Sequence, residues 1–254
     1  MKHHAILLAG SRPGRDDFAA QFGTDLKALI AIRGEPMVRR PLRALLGSPC
    51  VGQISVLSQA PERMASVIPP NPRVDIGASH GTIAATLLRL CDDPATQWPL
   101  LVSTADHALL DPLMVDEFCR GAGAAGIGVG VVERATLLRR FPGAERTWLK
   151  FRGGAYTGAN LFHLQSPAVR PAIELWRSVE QDRKKAMRIV ALLGPVTLLL
   201  VALRWISLDG VLAKLSRRLN LTVRAVRLSN PLAGIDVDKP ADHTLVEAIL
   251  AGEA

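Results

Sequence analysis

The chain has 254 residues, of which 48% are hydrophobic and 21% charged, so it can bury one substantial core and is not a disordered tail protein. Its net charge of +8 predicts attraction to polyanions such as nucleotides, nucleic acid, phosphorylated metabolites or an anionic membrane. Aromatic residues make up only 4% of the chain and no nucleic-acid-binding module is recognisable, so we expect no specific nucleic-acid partner.

Strand-like apolar runs and helix-like periodicity alternate along the chain. Strands are predicted at residues 4–9, 53–58, 99–104, 126–132, 147–151, 160–164 and 221–228. Helices are predicted at residues 36–46, 82–91, 112–121, 168–181, 208–219 and 240–251. The alternation predicts a single α/β domain over residues 1–254, with a mixed, mostly parallel sheet flanked by helices on both faces.

The three cysteines are widely spaced, with no CxxC pair and no Cys/His cluster at the sequence spacing of a zinc site. This pattern predicts a reduced, cytoplasmic protein. The first apolar run is too short for a secretory signal and is soon followed by glycine, proline and arginine. We interpret it as a buried strand.

The first strand leads into the loop of "ILLAGSRPGRDDFA", which has small residues at Gly10, Ser11 and Gly14 and cations at Arg12 and Arg15. The backbone N–H groups of such a loop can bind phosphates, and the arginines can neutralise them. The spacing fits neither GxxxxGK[ST] nor GxGxxG, so neither a P-loop NTPase nor an ordinary dinucleotide fold is indicated. Alone, the loop is equally typical of a turn before a helix.

Three aspartates are candidate metal ligands. Asp106 directly follows the strand at residues 99–104, where ligands bind in α/β sheets and where Mg²⁺ on substrate phosphates would be held. Asp236 and Asp238 lie on the same side of an extended stretch, and either can complete the site. Alternatively, Asp106 is a cap or turn residue and Asp238 caps the following helix.

Residues 182–210 form a hydrophobic and basic segment that we predict to be a helical insertion. Its uncharged core of 15 residues, 189–203, is too short to cross a bilayer and is interrupted at Gly194 and Pro195. The flanking cations and Trp205 are typical of a helix lying at a membrane surface, so we expect peripheral contact with the inner membrane. The alternatives are a buried helical hairpin or an oligomer contact, as in a homodimer.

The motifs LLAGSRPGR, LKALIAIRGEPMV, ASHGTIAATLLRL, LLVSTADHALLDP, TGANLF and GIDVDKPADH, in this order, resemble the MobA-like NTP transferase group of Rossmann-like, GT-A-type nucleotidyltransferases. This group includes molybdenum-cofactor guanylyltransferase and the sugar-phosphate and methylerythritol-phosphate cytidylyltransferases. The resemblance spans residues 5–250. It implies Mg²⁺-dependent transfer of an NMP from an NTP to a phosphorylated small-molecule or lipid-precursor acceptor, with release of pyrophosphate.

The resemblance also assigns roles to residues around the triphosphate. Arg15 matches the catalytic arginine that contacts the triphosphate, and Ser11 replaces the second glycine of the family motif. Lys27 matches the catalytic lysine near the α-phosphate. Without this role, a lone lysine at a helix end is usually a solvated surface residue. The implied nucleotide-binding residues are Ala9, Gly10, Ser11, Arg12, Gly14, His80, Gly81 and Thr82.

Thr82 would hydrogen-bond the nucleobase, or would simply be the N-cap of its helix. Its segment resembles the cytidylyltransferase pattern more than the guanylyltransferase pattern, which favours CTP over GTP. Asp106, Asp238 and Asp236 are the implied metal ligands. The implied acceptor-binding residues are Arg146, Lys150, Gly158 and Asn160.

Two other functions are alternatives to nucleotidyl transfer. A GT-A glycosyltransferase normally has a D-x-D motif, which the segment "TADHAL" lacks. A catalytically silent protein that binds nucleotide or associates with membrane would explain Ser11 and the hydrophobic segment.

Overall fold

The structure is a computed structural model that describes residues 2–11, 16–180 and 194–253. The strands in this part of the chain are β1 His3–Leu8, β2 Ala31–Ile32, β3 Glu35–Pro36, β4 Val51–Ser58, β5 Val74–Ala78, β6 Leu100–Thr104, β7 Ile127–Glu133, β8 Leu149–Phe151, β9 Gly154–Leu164 and β10 Val223–Arg227. The α-helices are α1 Asp17–Ala20, α2 Arg39–Gly47, α3 Pro61–Val67, α4 Ile83–Asp92, α5 Pro112–Ala122, α6 Arg134–Arg140, α7 Arg170–Glu180, α8 Pro195–Ala202, α9 Leu208–Leu219 and α10 Pro240–Ala251.

Eight strands form one sheet in the order β10-β7-β9-β6-β1-β4-β5, with β8 paired to β9. Strand β9 is antiparallel to β6, β7 and β8, whereas the pairs β1–β4, β1–β6, β4–β5 and β7–β10 are parallel. Strands β2 and β3 form a separate hairpin. The predicted mixed, mostly parallel α/β sheet is confirmed.

Strand β1 shows why the sheet is buried on both faces. Its side chains alternate, with Ala5 and Leu7 in one hydrophobic cluster and Ile6 and Leu8 in another. Helices α2 and α5 contribute to the first cluster, and α4 and α7 to the second. A strand covered on both faces needs apolar side chains in both directions, which explains its unbroken apolar run.

The structure has elements that periodicity did not predict. Strand β5 lies at the edge of the sheet and carries the exposed Asp75 and a glycine, Gly77, so its sequence lacks a continuous apolar run. Strand β9 begins at Gly154 rather than Asn160, because pairing with β7 and β8 stabilises a glycine-rich half that has low β propensity. Short helices such as α3 and α6 were also missed.

The expectation that the cysteines are all reduced and unpaired is wrong for two of them. Cys50 and Cys119 form a disulfide, although 69 residues separate them, and Cys91 is free. Cys50 precedes β4 and Cys119 lies in α5, a helix that packs against α2 in the same core. Packing of distant segments brings the two together, which spacing along the chain does not reveal.

The predicted insertion over residues 182–210 lies partly outside the described residues, which resume at Gly194. Helix α8 begins at Pro195, directly after Gly194 in the left-handed region with φ 77°, so the predicted interruption is a helix start. Ser207 then caps α9 by accepting a hydrogen bond from the Gly210 N–H at 3.1 Å. Within the described ranges, no helix has both the length and the apolar character needed to cross a membrane.

Candidate active site

Several of the predicted site residues lie at one edge of the sheet. Strands β6, β1, β4 and β5 are adjacent and parallel, so the loops at their carboxyl ends open at the same edge. These loops contain Asp106 after β6, residues 9–11 after β1 and residues 80–82 after β5. Arg12, Gly14 and Arg15 lie outside the described residues.

Lys27 links two of the predicted metal ligands. It begins a 3₁₀ turn, Lys27–Leu29, and its Nζ donates to Asp106 Oδ2 at 2.7 Å and also to Asp238 Oδ1. Burial opposes the charged ammonium, but the two carboxylates outweigh it and raise the pKa of Lys27 above its ordinary value. The side chain is only 19% exposed, so Lys27 is not an ordinary solvated lysine.

The surroundings of Asp106 stabilise its ionised form. Thr104 Oγ1 donates to Asp106 Oδ1 at 2.5 Å, and the Val237 N–H donates to the Asp106 carbonyl oxygen at 3.0 Å. Burial raises the pKa of Asp106, but the Lys27 ammonium and the hydrogen bonds from Lys27 and Thr104 lower it below its usual range. The carboxylate is therefore negatively charged at neutral pH.

Neither Asp106 nor Asp238 caps a helix. Helix α5 is capped by Asp111, whose Oδ1 accepts from the Met114 N–H at 2.8 Å. At the start of α10 the carboxylate of Asp242 accepts from the backbone N–H groups of Asp238 and Lys239, both at 3.1 Å. Neither aspartate is therefore a helix cap, whereas Asp106 does lie in a turn after β6, as the alternative for this residue allowed.

Asn160 connects two of the aspartates through an unusual backbone conformation. Its φ is 48°, in the left-handed region that asparagine tolerates better than most residues, and it lies at an irregularity in the β7–β9 pairing. Its Nδ2 donates to Asp236 Oδ2 at 3.2 Å and approaches Asp106 Oδ1 at 3.4 Å. The irregular pairing therefore directs a strand side chain toward the aspartates.

Arg146 holds the chain segment before α10. Its Nη1 lies 2.9 Å from Asp242 Oδ1 and 3.4 Å from Asp236 Oδ1, and Nη2 donates to the Asp236 carbonyl oxygen at 3.3 Å. Burial and the charges of Asp238 and Asp106 raise the pKa of Asp236 to about 6, against the opposing effect of Arg146. Asp236 is therefore protonated more readily than an ordinary aspartate.

Gln59 is a site residue that sequence reasoning missed. Its Oε1 accepts from the Ser11 N–H at 2.9 Å and its Nε2 donates to the Ser11 carbonyl oxygen at 2.5 Å. A Cβ atom on Gly10 would lie 2.8 Å from Gln59 Oε1, so the small residue allows this close contact. The sequence indicates Gln59 only by its position, as a polar residue directly after β4, the strand that pairs with β1.

The residues predicted near the nucleobase surround the start of α4. Thr82 is its N-cap, with Oγ1 accepting from the Ala85 N–H at 3.2 Å. Gly81 has φ 67°, and the exposed His80 donates its backbone N–H to Thr86 Oγ1 at 3.0 Å. The hydroxyl hydrogen of Thr82 is not used in the cap, so the residue can cap the helix and still donate to a ligand.

Two of the predicted acceptor-binding residues are accessible. Gly158 is exposed on β9, and no atom lies within 4 Å of where its Cβ would be. Lys150 is exposed on the neighbouring strand β8. Beside Arg146 lies a pocket of about 470 Å³ whose lining includes two further cations, Arg140 and Lys239.

Comparisons with known proteins show the family and the fold of this chain. The profile of the MobA-like NTP transferase domain matches residues 5–201. A hypothetical transferase from Thermus thermophilus is 30% identical, covers 96% of this chain and 100% of its own, and superposes with a TM-score of 0.81. A comparison with curated proteins found no match.

Two more distant structures share the fold. A 4-diphosphocytidyl-2C-methyl-D-erythritol synthase from Anaerococcus prevotii is 9% identical, with a TM-score of 0.61 over 98% of this chain and 96% of its own. A CMP:2-keto-3-deoxy-manno-octonic acid synthetase complexed with CTP is 13% identical, with a TM-score of 0.60 over 100% of both chains. With the family match over residues 5–201, these findings show that the chain belongs to the MobA-like NTP transferase family and is a nucleotidyltransferase.

Proposed function

We propose that the protein transfers an NMP from an NTP, with CTP preferred over GTP, to a phosphorylated acceptor and releases pyrophosphate. The observation that carries this proposal is the ammonium group of Lys27 between Asp106 and Asp238. These three residues meet at the carboxyl edge of the central strands, where the phosphate-binding loop also begins. This is the edge at which ligands bind in α/β sheets, which supports the proposal.

The two carboxylates fit a divalent cation of the magnesium type. Asp106 Oδ2 and Asp238 Oδ1 both contact Lys27 Nζ, so they are close enough to share one positive charge. Proteins hold Mg²⁺ through one or two carboxylates, and substrate phosphates and water supply the other ligands. A bound Mg²⁺ would neutralise charge on the triphosphate and orient it. We assign Asp106 and Asp238 as ligands, and Asp236 as the third carboxylate, which orients Asn160.

The chain's own residues bind and position the reactants. The N–H groups of the loop at residues 9–15 hold the triphosphate, once the Gln59 amide has released the Ser11 N–H. Arg15 and Lys27 stabilise the negative charge that accumulates around the α-phosphorus. An acceptor phosphate oxygen attacks that atom, the bond to the bridging oxygen of the β-phosphate breaks, and pyrophosphate leaves. The nucleophile is already ionised, so no general base is required.

The preference for CTP rests on the segment after β5. The hydroxyl hydrogen of Thr82 is available to donate to a carbonyl oxygen of the base, while Gly81 and His80 border the same turn. Cytosine and guanine both present such a carbonyl, so the preference for CTP over GTP rests on the resemblance of the segment to that of cytidylyltransferases. We therefore propose that Thr82 helps to select the nucleobase.

The test is a matrix of the four NTPs and phosphorylated acceptors with Mg²⁺, read by pyrophosphate release and by thermal shift. We expect pyrophosphate with CTP and at least one acceptor, and a nucleotide-dependent rise in Tm. A rise in Tm with no pyrophosphate from any pair would favour a silent nucleotide-binding protein. Glycosyl transfer from a nucleotide sugar would favour the GT-A glycosyltransferase.

We propose that the acceptor lies over Gly158, with Asn160 two residues further along β9. Lys150, which pairs with Ala155, lies on the neighbouring strand β8. Replacing Gly158 by Leu is expected to raise KM for the acceptor about tenfold or more, because the side chain fills space that no protein atom uses. KM for the NTP and the Tm are expected to change little. Steady-state kinetics with each substrate varied in turn measures both KM values. Gly158→Ala, which adds a smaller side chain, is the control. An unchanged acceptor KM in Gly158→Leu would place the acceptor elsewhere.

We also propose that α8 contacts an anionic membrane surface. Val196, Leu199 and Leu203 recur at helical spacing and are 66%, 58% and 46% exposed, and Trp205 beside them is 66% exposed. Co-sedimentation with anionic vesicles is expected for the wild type and reduced for Leu199→Ser. If Leu199→Ser instead dissociates a dimer in sedimentation velocity and no vesicle binding occurs, the surface is a homodimer contact.

A further inference from the structure

A second cluster of chemically reactive side chains lies far from the aspartates. His3 begins β1, Cys50 directly precedes β4 and Cys119 lies in α5, so the cluster is at the amino ends of the strands, opposite Asp106. One ring nitrogen of His3 and the two sulfur atoms all lie within 4.8 Å of one another. In the described ranges this is the only set of three His, Cys, Asp or Glu side chains that approach so closely. Cys119 and His3 are buried, and Cys50 is half-buried.

His163 contacts His3, and the hydrogen bonds of His163 determine which ring nitrogen of His3 has the lone pair. The Ala125 carbonyl oxygen can only accept, so His163 Nε2, 3.0 Å away, must carry a hydrogen. In neutral His163 the Nδ1 atom then has a lone pair, which accepts from His3 Nε2 at 3.0 Å. Burial disfavours the charged form of both rings. A neutral His3 is therefore left with a bare Nδ1.

Among the residues that the structure describes, the hydrogen-bond contact of His3 Nδ1 is with the Cys50 carbonyl oxygen at 3.4 Å. A carbonyl oxygen can only accept, so this contact and the 3.0 Å contact of His3 Nε2 with His163 Nδ1 compete for the one hydrogen of a neutral ring, and the shorter contact leaves the lone pair on Nδ1. His3 is only 7% exposed, so water has little access. The His163 bond to the opposite nitrogen is the arrangement that orients histidine ligands in metal sites. The free nitrogen beside two sulfurs is suited to a cation.

Charge at the cluster also favours a cation. Two cysteine thiolates would carry two negative charges, and the carboxylate of Asp116 is connected to them through Ser48. Ser48 Oγ donates to Asp116 Oδ1 at 2.5 Å and lies 3.1 Å from Cys50 Sγ. Thiolate and imidazole are the ligands preferred by zinc and by other thiophilic metals, whereas Mg²⁺ prefers oxygen.

We propose that His3, Cys50 and Cys119 bind one Zn²⁺ ion when the two cysteines are reduced. Metal binding and the Cys50–Cys119 disulfide are then mutually exclusive states of the same site. A dithiol reductant supplies two electrons and two protons to the disulfide, giving two thiols, and is itself oxidised to a disulfide. Metal binding then releases the thiol protons. His3 also helps to line a pocket of about 320 Å³, whose lining does not include the two cysteines.

The test is a titration of reduced, chelator-treated protein with Co²⁺ under anaerobic conditions, followed by addition of Zn²⁺. We expect a thiolate-to-cobalt charge-transfer band in the near ultraviolet that saturates at one Co²⁺ per chain and disappears with Zn²⁺. The band is expected to be absent from the disulfide form and from Cys119→Ser, and the His163→Ala variant is expected to bind about 10- to 100-fold more weakly. Carboxylates give no sulfur band, so metal binding at Asp106 cannot produce this signal.

The third cysteine provides a matched control. Burial raises the pKa of Cys91 to about 11 and the residue lies outside the cluster, so Cys91→Ser should retain the full band, as should Asp106→Asn. Absence of the band in reduced wild type, or its survival in Cys119→Ser, would overturn the proposal. If Cys119→Ser does not fold, as judged by circular dichroism, native mass spectrometry of the reduced wild type must still show one retained Zn²⁺.

Discussion

Replacing Asp106 by Asn is expected to lower kcat/KM about 1000-fold while the protein remains folded. The carboxamide keeps a contact for the Thr104 hydroxyl, but it removes the negative charge that Lys27, and a divalent cation, require. Loss of the ion pair with Lys27 lowers the stability of the fold. Loss of the repulsion between Asp106 and Asp236 offsets part of this effect, since the charges of Asp106 and Asp238 help to raise the pKa of Asp236 to about 6. We therefore expect a shift of only a few degrees in Tm. Pyrophosphate kinetics and thermal unfolding measure the two effects.

The matched control is Asp92→Asn, since Asp92 is an exposed carboxylate that pairs with Arg170 on the surface. Surface ion pairs contribute little to stability, so both activity and Tm should equal those of the wild type. Retention of more than about a tenth of the wild-type kcat/KM in Asp106→Asn would contradict the metal role. Removing a charge that acts in the transition state is expected to lower kcat/KM by more than about tenfold. Loss of activity in both variants would indicate a general effect of charge.

Replacing Lys27 by Met is expected to have opposite effects on catalysis and on metal binding. The value of kcat should fall about 100- to 1000-fold, because the charge that stabilises the reacting phosphate is lost. Affinity for Mn²⁺, used as a spectroscopic probe, should rise, because Lys27 Nζ lies between Asp106 and Asp238 and competes for the same carboxylates. Methionine keeps the length and packing of the stem while removing the ammonium.

Lys27→Arg is the control that keeps the charge. Its planar guanidinium cannot reproduce the single-atom bridge between two carboxylates, so we expect an intermediate kcat and a Mn²⁺ affinity near that of the wild type. Electron paramagnetic resonance gives the free Mn²⁺ concentration in each titration. If Mn²⁺ binds more weakly to Lys27→Met than to wild type, the carboxylates need Lys27 to hold their arrangement, and competition is the wrong explanation.

Much of the architecture can be derived from the amino-acid sequence because it depends on local patterns. The apolar run of β1 predicts a strand buried on both faces, and the alternation with helices predicts a mostly parallel sheet. Asp106 could be placed at the carboxyl edge because a residue after a parallel strand lies there whatever the strand order. The family motifs, in register over residues 5–250, indicated the class of reaction.

Other features depend on which distant segments pack together. The contact of Lys27 with Asp106 and Asp238, the clamp of Gln59 on Ser11 and the cluster of His3 with Cys50 and Cys119 all join residues far apart in the chain. Strand order, an irregular β7–β9 pairing and the packing of α5 create them, and none of these leaves a local periodicity. Spacing alone therefore predicted unpaired cysteines, whereas three-dimensional packing placed two of them together beside a buried histidine.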